Sequence, residues 1–390
     1  MSSDWSSDVC SSDLEAHEND PWFDGSLGLR IKNRTFFTPR IDLNTHYEAV
    51  YFAGDTRESQ LFNQALLTGF PGIGSVLQAP DNIEDDQRLF DLTKVVSDDD
   101  DEIFYHRLDR LCLTWQPDWG RLAIGRQAVT WGNGLLFNPM DLFNPFSPSD
   151  IDRDYKVGGD MVNLEVRLGH SANMQVLYVP RHDLQTRDVE NDCSSLAANV
   201  SGALDGLDAN FMLASHYEDT LAGLGVSGYL GEAVWRTDVI YTAADSDLDE
   251  DFWSMVANLD YSWLWLGKNA YGFIEVYYTT LGTGNYLHKY TDADIFERLA
   301  RGEMFTAGRL YISPHIQWEL HPLLNVFLTV TVNAEDPSGY ALPRAVWDFK
   351  DNLQLTFGGN VYFGGDDTEF GGVDIIHTPL LQLTDEPGDS

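Results

Sequence analysis

The sequence is poor in positive charge. Against 62 Asp and Glu it sets only 24 Lys and Arg, a formal net charge of −38 over 390 residues. Binding a phosphate backbone needs clustered Lys and Arg, so nucleic acid is excluded as a partner. Cysteine is scarce too: three residues, none in a Cys-x-x-Cys pair. They cannot build a disulfide framework, a zinc site of that type or a thioredoxin-like redox pair. No run of 18 apolar residues exists, which removes transmembrane helices. It does not remove a β-barrel, because there lipid-facing residues alternate with polar ones and hydropathy averages out. Disorder is excluded by what is abundant, with 43 % hydrophobic and 13 % aromatic residues.

The start of the chain departs from the rest. Residues 1–14, MSSDWSSDVCSSDL, carry Ser-Ser-Asp three times. A basic segment followed by an apolar one is missing, so this is not a signal peptide. It resembles translated adapter sequence; a native Ser/Asp-rich leader is the alternative. Cys10 is set aside on both readings. If the tract is adapter, the natural start is lost, and the lack of a signal says nothing about the compartment. The expected organisation is a leader at 1–14, an N-terminal segment at 15–25, a β-barrel at 26–363 and a C-terminal segment at 364–390 with room for one further strand.

From residue 26 the dominant period is two. In 253–265, Trp253, Met255, Leu259, Tyr261, Trp263 and Trp265 alternate with Ser254, Asn258, Asp260 and Ser262. The segments 309–320, 324–333 and 353–363 alternate as cleanly. Weaker cases lie at 27–38, 45–53, 103–115, 121–131, 161–169, 172–181, 194–203, 207–217, 220–230, 232–243, 269–280 and 341–350. These are amphipathic strands, not helices. They number about 16 and run to roughly 10 residues each, the length that crosses a bilayer when tilted. A soluble all-β protein also has one apolar face per strand, but its strands average about 5–6 residues.

Connections and aromatics point the same way. Short ones are expected at Pro117–Gly120, Gly169–Ala172, Leu204–Gly206, Gly231, Gly267–Asn269, His321–Pro322 and Lys350–Asn352, and long ones near 54–102, 132–160, 182–193 and 281–304. Tight turns opposite long loops are the outer-membrane pattern. Trp253, Trp263, Trp265 and Trp318 sit near strand ends, where interfacial girdles need amphipathic rings. The expected fold class is all-β, a transmembrane antiparallel barrel of about 16–18 strands with an inward-folded loop. Counting turns leaves one strand missing at the front and one needed at the back, with 373–383 as the candidate. Strands 27–38 and 353–363 are then not direct neighbours.

The stretch 107–132 ends GRQAVTWG, and the next residues read NGLLFNPMDLFNPFSPSD. Gly125-Arg126-Gln127, then Trp131-Gly132 and an Asn-Pro-rich loop, resemble porin-type outer-membrane barrels of the alginate-export-like and related uncharacterised families. The resemblance covers about 50 residues closely and implies a diffusion channel or exporter with a loop folded into the pore.

The residues support that loop independently. Segment 132–158 holds Leu135, Leu136, Phe137, Met140, Leu142, Phe143 and Phe146, too apolar for an exposed loop. Inside a barrel it would form either a constriction or a plug that stabilises the wall. Phe137, Phe143 and Phe146 are expected on the inner wall, and Asn138, Asp141, Asn144 and Asp150 facing the passage, across from Arg126 or Arg309. Arg126 and Asp109 break the alternation. A β-bulge turning both inward is expected, making a lumen pair with Arg110 as a third member. The pore-constriction set is therefore Asn138, Asp141, Asn144, Asp150, Arg126, Asp109, Arg110 and Arg309.

Other lumen-facing charges are mixed. Arg30, Lys32, Arg34, Arg167, Arg236, Arg309 and Arg344 oppose Glu48, Glu165, Asp208, Asp238, Asp260, Glu275, Glu319 and Asp348, a wall suited to hydrated polar solutes. Asp245-x-Asp247-x-Asp249 has part of a Ca²⁺-loop spacing, without the Gly and Glu that an EF-hand requires; a solvated acidic rim is the plainer reading. His216, His288, His315 and His377 are scattered, with no nucleophile motif nearby, so no enzyme, cofactor or metal is expected. The expected partners are outer-membrane lipid and small polar solutes or polysaccharide, with a homo-oligomer left open, in the bacterial outer membrane. The alternatives are a barrel sheath in an export or electron-transfer complex and a soluble all-β binding protein.

Overall fold

The computed structural model describes residues 24–54, 85–99, 102–143, 145–148, 156–169, 171–183, 186–245, 250–284, 295, 298–299, 301–350, 353–365, 368–371 and 379–385. The leader 1–14 and the segment 15–23 lie outside them. The strands in chain order are β1 (Asp24–Thr38), β2 (Ile41–Gly54), β3 (Thr93–Asp98), β4 (Glu102–Trp115), β5 (Gly120–Gln127), β6 (Gly159–Leu168), β7 (Ala172–His182), β8 (Val189–Leu204), β9 (Leu207–His216) and β10 (Asp219–Leu230). They continue as β11 (Ala233–Ala243), β12 (Phe252–Trp265), β13 (Lys268–Thr279), β14 (Leu310–His321), β15 (Leu324–Asn333), β16 (Gly339–Lys350), β17 (Leu353–Gly359), β18 (Val361–Phe363) and β19 (Pro379–Asp385). All belong to one antiparallel sheet, in which each long strand pairs with its neighbours in sequence. β17 and β18 are one strand interrupted at Asn360, since both pair with β16.

The two faces of the sheet decide its solvent. On β12, Trp253, Met255, Leu259 and Tyr261 are exposed, while Phe252, Ser254, Val256, Asn258 and Asp260 are buried. The same inversion recurs around the sheet. Leu29, Ile31, Leu213, Leu224, Ile274, Leu328 and Phe357 point outward and exposed. Glu48, Arg107, Asn163, Asp238, Glu275 and Thr331 are buried on the other face. A soluble sandwich buries its apolar face. Here the apolar face is outside as a continuous belt, which needs lipid around it. Aromatic pairs mark the short-turn edge: Trp115 against Trp119 at 5.9 Å, Trp265 stacked on Trp318 at 4.7 Å, and Trp347 beside Phe349.

The sheet curls around its own insertion. Residues of the 128–158 loop touch the inner face of strands from β4 to β14, among them Asp109 on β4, Asp238 on β11, Glu275 on β13 and Tyr311 on β14. A flat sheet cannot present so many strands to one loop. The protein is a transmembrane antiparallel β-barrel with an inward-folded loop.

Several boundaries differ from the sequence reading. The strand expected at 121–131 stops at Gln127, because there the chain leaves the wall for the interior. The long connection at 54–102 contains β3, which pairs with the upper half of β4. It fills the wall where short β5 covers only Leu111–Trp115 of β4. Two connections on the long-loop side are short: Tyr217–Glu218, both at positive φ, and the five residues 334–338. The last described strand, Pro379–Asp385, overlaps the expected 373–383, of which 373–378 lie outside the described residues, and it pairs with β17. Among the described residues β1 pairs only with β2, so 27–38 and 353–363 do not meet.

Candidate functional site

The loop is launched by the motif that ends β5. Gly125 has φ +120°, and a Cβ there would sit 2.1 Å from the Leu111 carbonyl oxygen, so only glycine fits. The irregularity breaks the alternation, and Arg126 is buried rather than laid on lipid. Its Nε and Nη2 donate to Asp160, its Nη1 to Asp85 and its Nη2 also to the Phe90 carbonyl. Arg126 thereby ties segment 85–92 to the ends of β5 and β6. Asp85 is held below the usual carboxylate range by Arg88 and Arg126, which outweigh its burial.

Gln127 starts a chain of side-chain amides along the inner wall. Asn163 Nδ2 donates to Gln127 Oε1, Gln175 Nε2 donates to Asn163 Oδ1, and the Trp131 indole donates to Gln175 Oε1 at 2.6 Å. Gly132 comes next at φ +89°, where a Cβ would meet Asn138 Oδ1 at 2.2 Å. The Gly-Arg-Gln and Trp-Gly residues thus form one device that turns the chain inward and pins the turn to β5, β6 and β7.

Two acidic wall residues seat the loop backbone from Asn133 to Phe137. Asp238 on β11 accepts the backbone N–H and the side-chain amide of Asn133, each at 2.6 Å. Glu275 on β13 accepts the backbone N–H groups of Leu135, Leu136 and Phe137 at 2.7–2.9 Å and the Asn258 amide at 3.1 Å. Carboxylates that share the consecutive donors of a tight turn satisfy groups that would otherwise be buried without partners. Phe137 stacks on Tyr277 at 4.6 Å and lies 5.5 Å from Tyr311. Met140, fully buried, is received by Met212, Ile240 and the missing side chain of Gly223. Phe143 packs edge-on against Trp131 and His216.

The predicted polar set divides. Asn138 donates to the Trp131 carbonyl and closes the turn, with its Oδ1 buried. Asp141 is 5 % exposed and bridged by Lys156 from the returning limb, which also donates to Thr130. Burial pushes the Asp141 carboxyl up to about 7 although Lys156 pulls it down. Asn144 and Asp150 lie outside the described residues. Asp109 and Arg110 sit at a bulge where β4 slips against His46 and Tyr47 of β2, and both turn inward. Asp109 binds Arg30, Arg110 and the Gly158 N–H, and Arg110 reaches the Lys156 carbonyl. The root of the loop is therefore held at both ends.

The expected Arg126–Asp109 pair is corrected. The two residues join different clusters, Arg126 with Asp85 and Asp160, Asp109 with Arg30 and Arg110. Nor does Arg126 face the passage across from the loop, because at 1 % exposure it is locked inside the wall. Arg309 is exposed and donates to the Gly282 carbonyl in the connection after β13. Asp141 is turned to Lys156 rather than to the opening.

Sequence reasoning read Asp238 and Glu275 only as members of a charged wall. Their role as seats for a backbone 105 and about 140 residues away carries no local signal. It also missed Glu369. This residue lies in a second inward segment and accepts from Ala307 N–H, Tyr311 Oη and the Asn333 amide. Ser195, His216 and Glu303 are a further unexpected group. Ser195 Oγ lies 2.7 Å from His216 Nδ1 and accepts from Arg181, and His216 Nε2 is 3.7 Å from Glu303 Oε1. At 2 % and 3 % exposure, Ser195 and His216 tie the wall to segment 301–308 with no open face toward solvent.

Below the loop root, toward the short turns, lies a cavity of about 840 Å³. Thr130, Trp131 and Gly132 form its roof, Gln175, Asn199, Ser201 and Asn210 its inner wall, and Arg40, Asp118, Arg121, Glu165, Arg167 and Asn173 its rim.

No family model matches the chain, and no curated protein matches it in sequence. Solved structures do. OccAB3 of Acinetobacter baumannii superposes with a TM-score of 0.52 at 8 % identity, over 92 % of this chain and 90 % of that one. Wzi of Escherichia coli, an outer-membrane protein involved in group 1 capsule assembly and described as a carbohydrate-binding barrel, gives 0.49 at 9 % identity over 87 % and 74 %. A BenF-like porin from Pseudomonas fluorescens gives 0.47 at 9 % identity over 87 % and 86 %. At these identities the likeness is one of fold, that of a large antiparallel transmembrane β-barrel.

Proposed function

We propose that the chain is a passive outer-membrane channel for small polar solutes, not an enzyme, and that the 128–158 loop sets its bore. The carrying observation is the seating of Leu135–Phe137 on Glu275, which draws the loop across the interior from β5 to β13. An outward apolar belt supports lipid as its surroundings. A lumen lined by Asn, Gln, Ser and paired charges supports hydrated solutes as its traffic. The resemblance of Gly125–Gly132 to porin-type barrels supports a channel, with a secreted polymer as the alternative cargo.

The test is conductance of the pure protein in a planar bilayer, compared with a variant in which 134–148 is a short Gly/Ser linker. The variant should conduct more and pass larger uncharged solutes. A silent wild-type barrel would instead support a sheath that needs partner proteins. Equal conductance, with the native loop cut by protease in intact cells, would remove the loop from the bore. Boiled and unboiled samples should migrate differently on SDS gels; equal migration together with solubility without detergent would overturn the barrel itself.

A further inference from the structure

We propose that the cavity beneath the loop root binds a neutral, hydroxyl-rich solute of sugar size, held by Asn199, Asn210 and Ser201 under the edge of Trp131. The inference rests on the channel reading and names the solute class of that lumen. The volume, about 840 Å³, falls in the range of small-molecule sites, roughly 300–1,000 Å³.

Charge is graded through the cavity. At the rim, Arg40 pairs with Asp118 and Arg121 with Glu165, each at 2.8 Å. Arg167 is exposed there beside Asn173. Deeper in, toward the loop root, every lining side chain is uncharged: Thr130, Trp131, Gln175, Asn199, Ser201 and Asn210. The Lys156 ammonium beside Thr130 is already paired with Asp141, so charged solutes belong at the rim and neutral ones inside.

The inner wall has hydrogen-bonding capacity left over. Gln175 is saturated, since its carbonyl oxygen takes the Trp131 indole and its amide serves Asn163. Asn199, 5 % exposed, and Ser201 make no side-chain hydrogen bond to another described residue. Asn210 Oδ1 is buried and has no partner among the described residues. An amide is both donor and acceptor. A row of them on β8 and β9 therefore matches hydroxyl groups, which also do both, better than carboxylates, which only accept. Asn199 and Ser201 are open to lumen water, and a bound polyol would take over hydrogen bonds that water otherwise makes to them.

The experiment uses the full chain in a bilayer with sucrose and gluconate as probes, and sucrose titration of the detergent-solubilised barrel followed by tryptophan fluorescence. Sucrose should interrupt the current and perturb the fluorescence, more strongly than gluconate. Asn199→Leu and Asn210→Leu should weaken sucrose binding at least tenfold, read by fluorescence, while heat-modifiability on gels stays as in wild type. Ser201→Ala should weaken it less. A conducting channel indifferent to sucrose, or one that gluconate blocks and sucrose does not, overturns the site while leaving the channel reading intact. A silent barrel that still binds sucrose, with both Asn variants failing to bind, would keep the site and overturn the channel. Absence of sucrose-dependent fluorescence in a folded barrel overturns the site in either case.

Discussion

The carboxylate of Glu275 holds the backbone of Phe137: its Oε1 accepts the Phe137 N–H at 2.8 Å while the Phe137 ring stacks on Tyr277, two residues further along the same strand. One strand thus supplies both the polar and the apolar half of the seat. The polar half sets orientation, because three N–H groups converge on one carboxylate. The apolar half supplies most of the burial.

Replacing Glu275 with Gln keeps the shape and turns one acceptor into a donor. That donor faces N–H groups on either side. The expected cost to loop seating is about 2–3 kcal/mol, the value of a charged acceptor plus one buried donor left without a partner. Single-channel current should rise and become noisier, and cleavage within 134–143 should appear in limited proteolysis. Unchanged current noise and no cleavage would show that Asp238 and Phe137 suffice.

Asp141 gives the loop a pH dependence whose sign comes from its raised pKa, about 7. The folded state retains a proton that the unfolded chain releases near pH 4. This contribution to stability is therefore full below about pH 4 and lost as pH rises toward and through 7. Wild-type stability should fall by on the order of a few kcal/mol over that range relative to Asp141→Asn, which cannot titrate. Thermal melts of both proteins between pH 4 and pH 8 measure the difference; parallel profiles would contradict the assignment.

Arg126→Leu removes one cation from two buried carboxylates, Asp85 and Asp160. Breaking such a buried cluster costs about 3–5 kcal/mol. The SDS-gel unfolding temperature should drop, and segment 85–92 should become accessible to protease before the rest of the barrel. Arg126→Lys should recover part of the loss, since one ammonium cannot serve Asp85, Asp160 and the Phe90 carbonyl together.

Gly132→Ala tests the turn that admits the loop. At φ +89° a Cβ is strained, and here it also strikes Asn138 Oδ1 and Met140 Cβ. A loss of more than about 1 kcal/mol is expected, read as a lower yield of refolded, heat-modifiable barrel. Gly169→Ala also sits at positive φ, but with nothing within 4 Å, and should cost less.

Much of this architecture was legible because membrane strands carry their environment in a two-residue period. Trp253, Met255, Leu259 and Tyr261 had to share a face, and in lipid that face is outside. The apolar content of 135–146 required shelter, and the interior is the shelter nearest the end of β5. Position along the barrel was harder. β3 is six residues long and lies inside a long connection, below the length at which alternation is distinctive.

What the sequence could not determine is which residues meet. Arg126 and Asp109 look like partners on adjacent strands, yet the bulge at Asp109 and the twist at Gly125 send them to separate clusters, each completed by residues far away in sequence. Glu275 and Asp238 look like ordinary lumen charges. Only curling of the sheet brings them over the backbone of 133–137. Gly223 and Gly225 read as weak points in a strand, and the fold uses their missing side chains as room for Met140 and Asn133. The alternating pattern fixes each residue's face, a property local to its own strand. Contacts across the lumen depend on strand order, register and curvature together, and those are properties of the curled sheet as a whole.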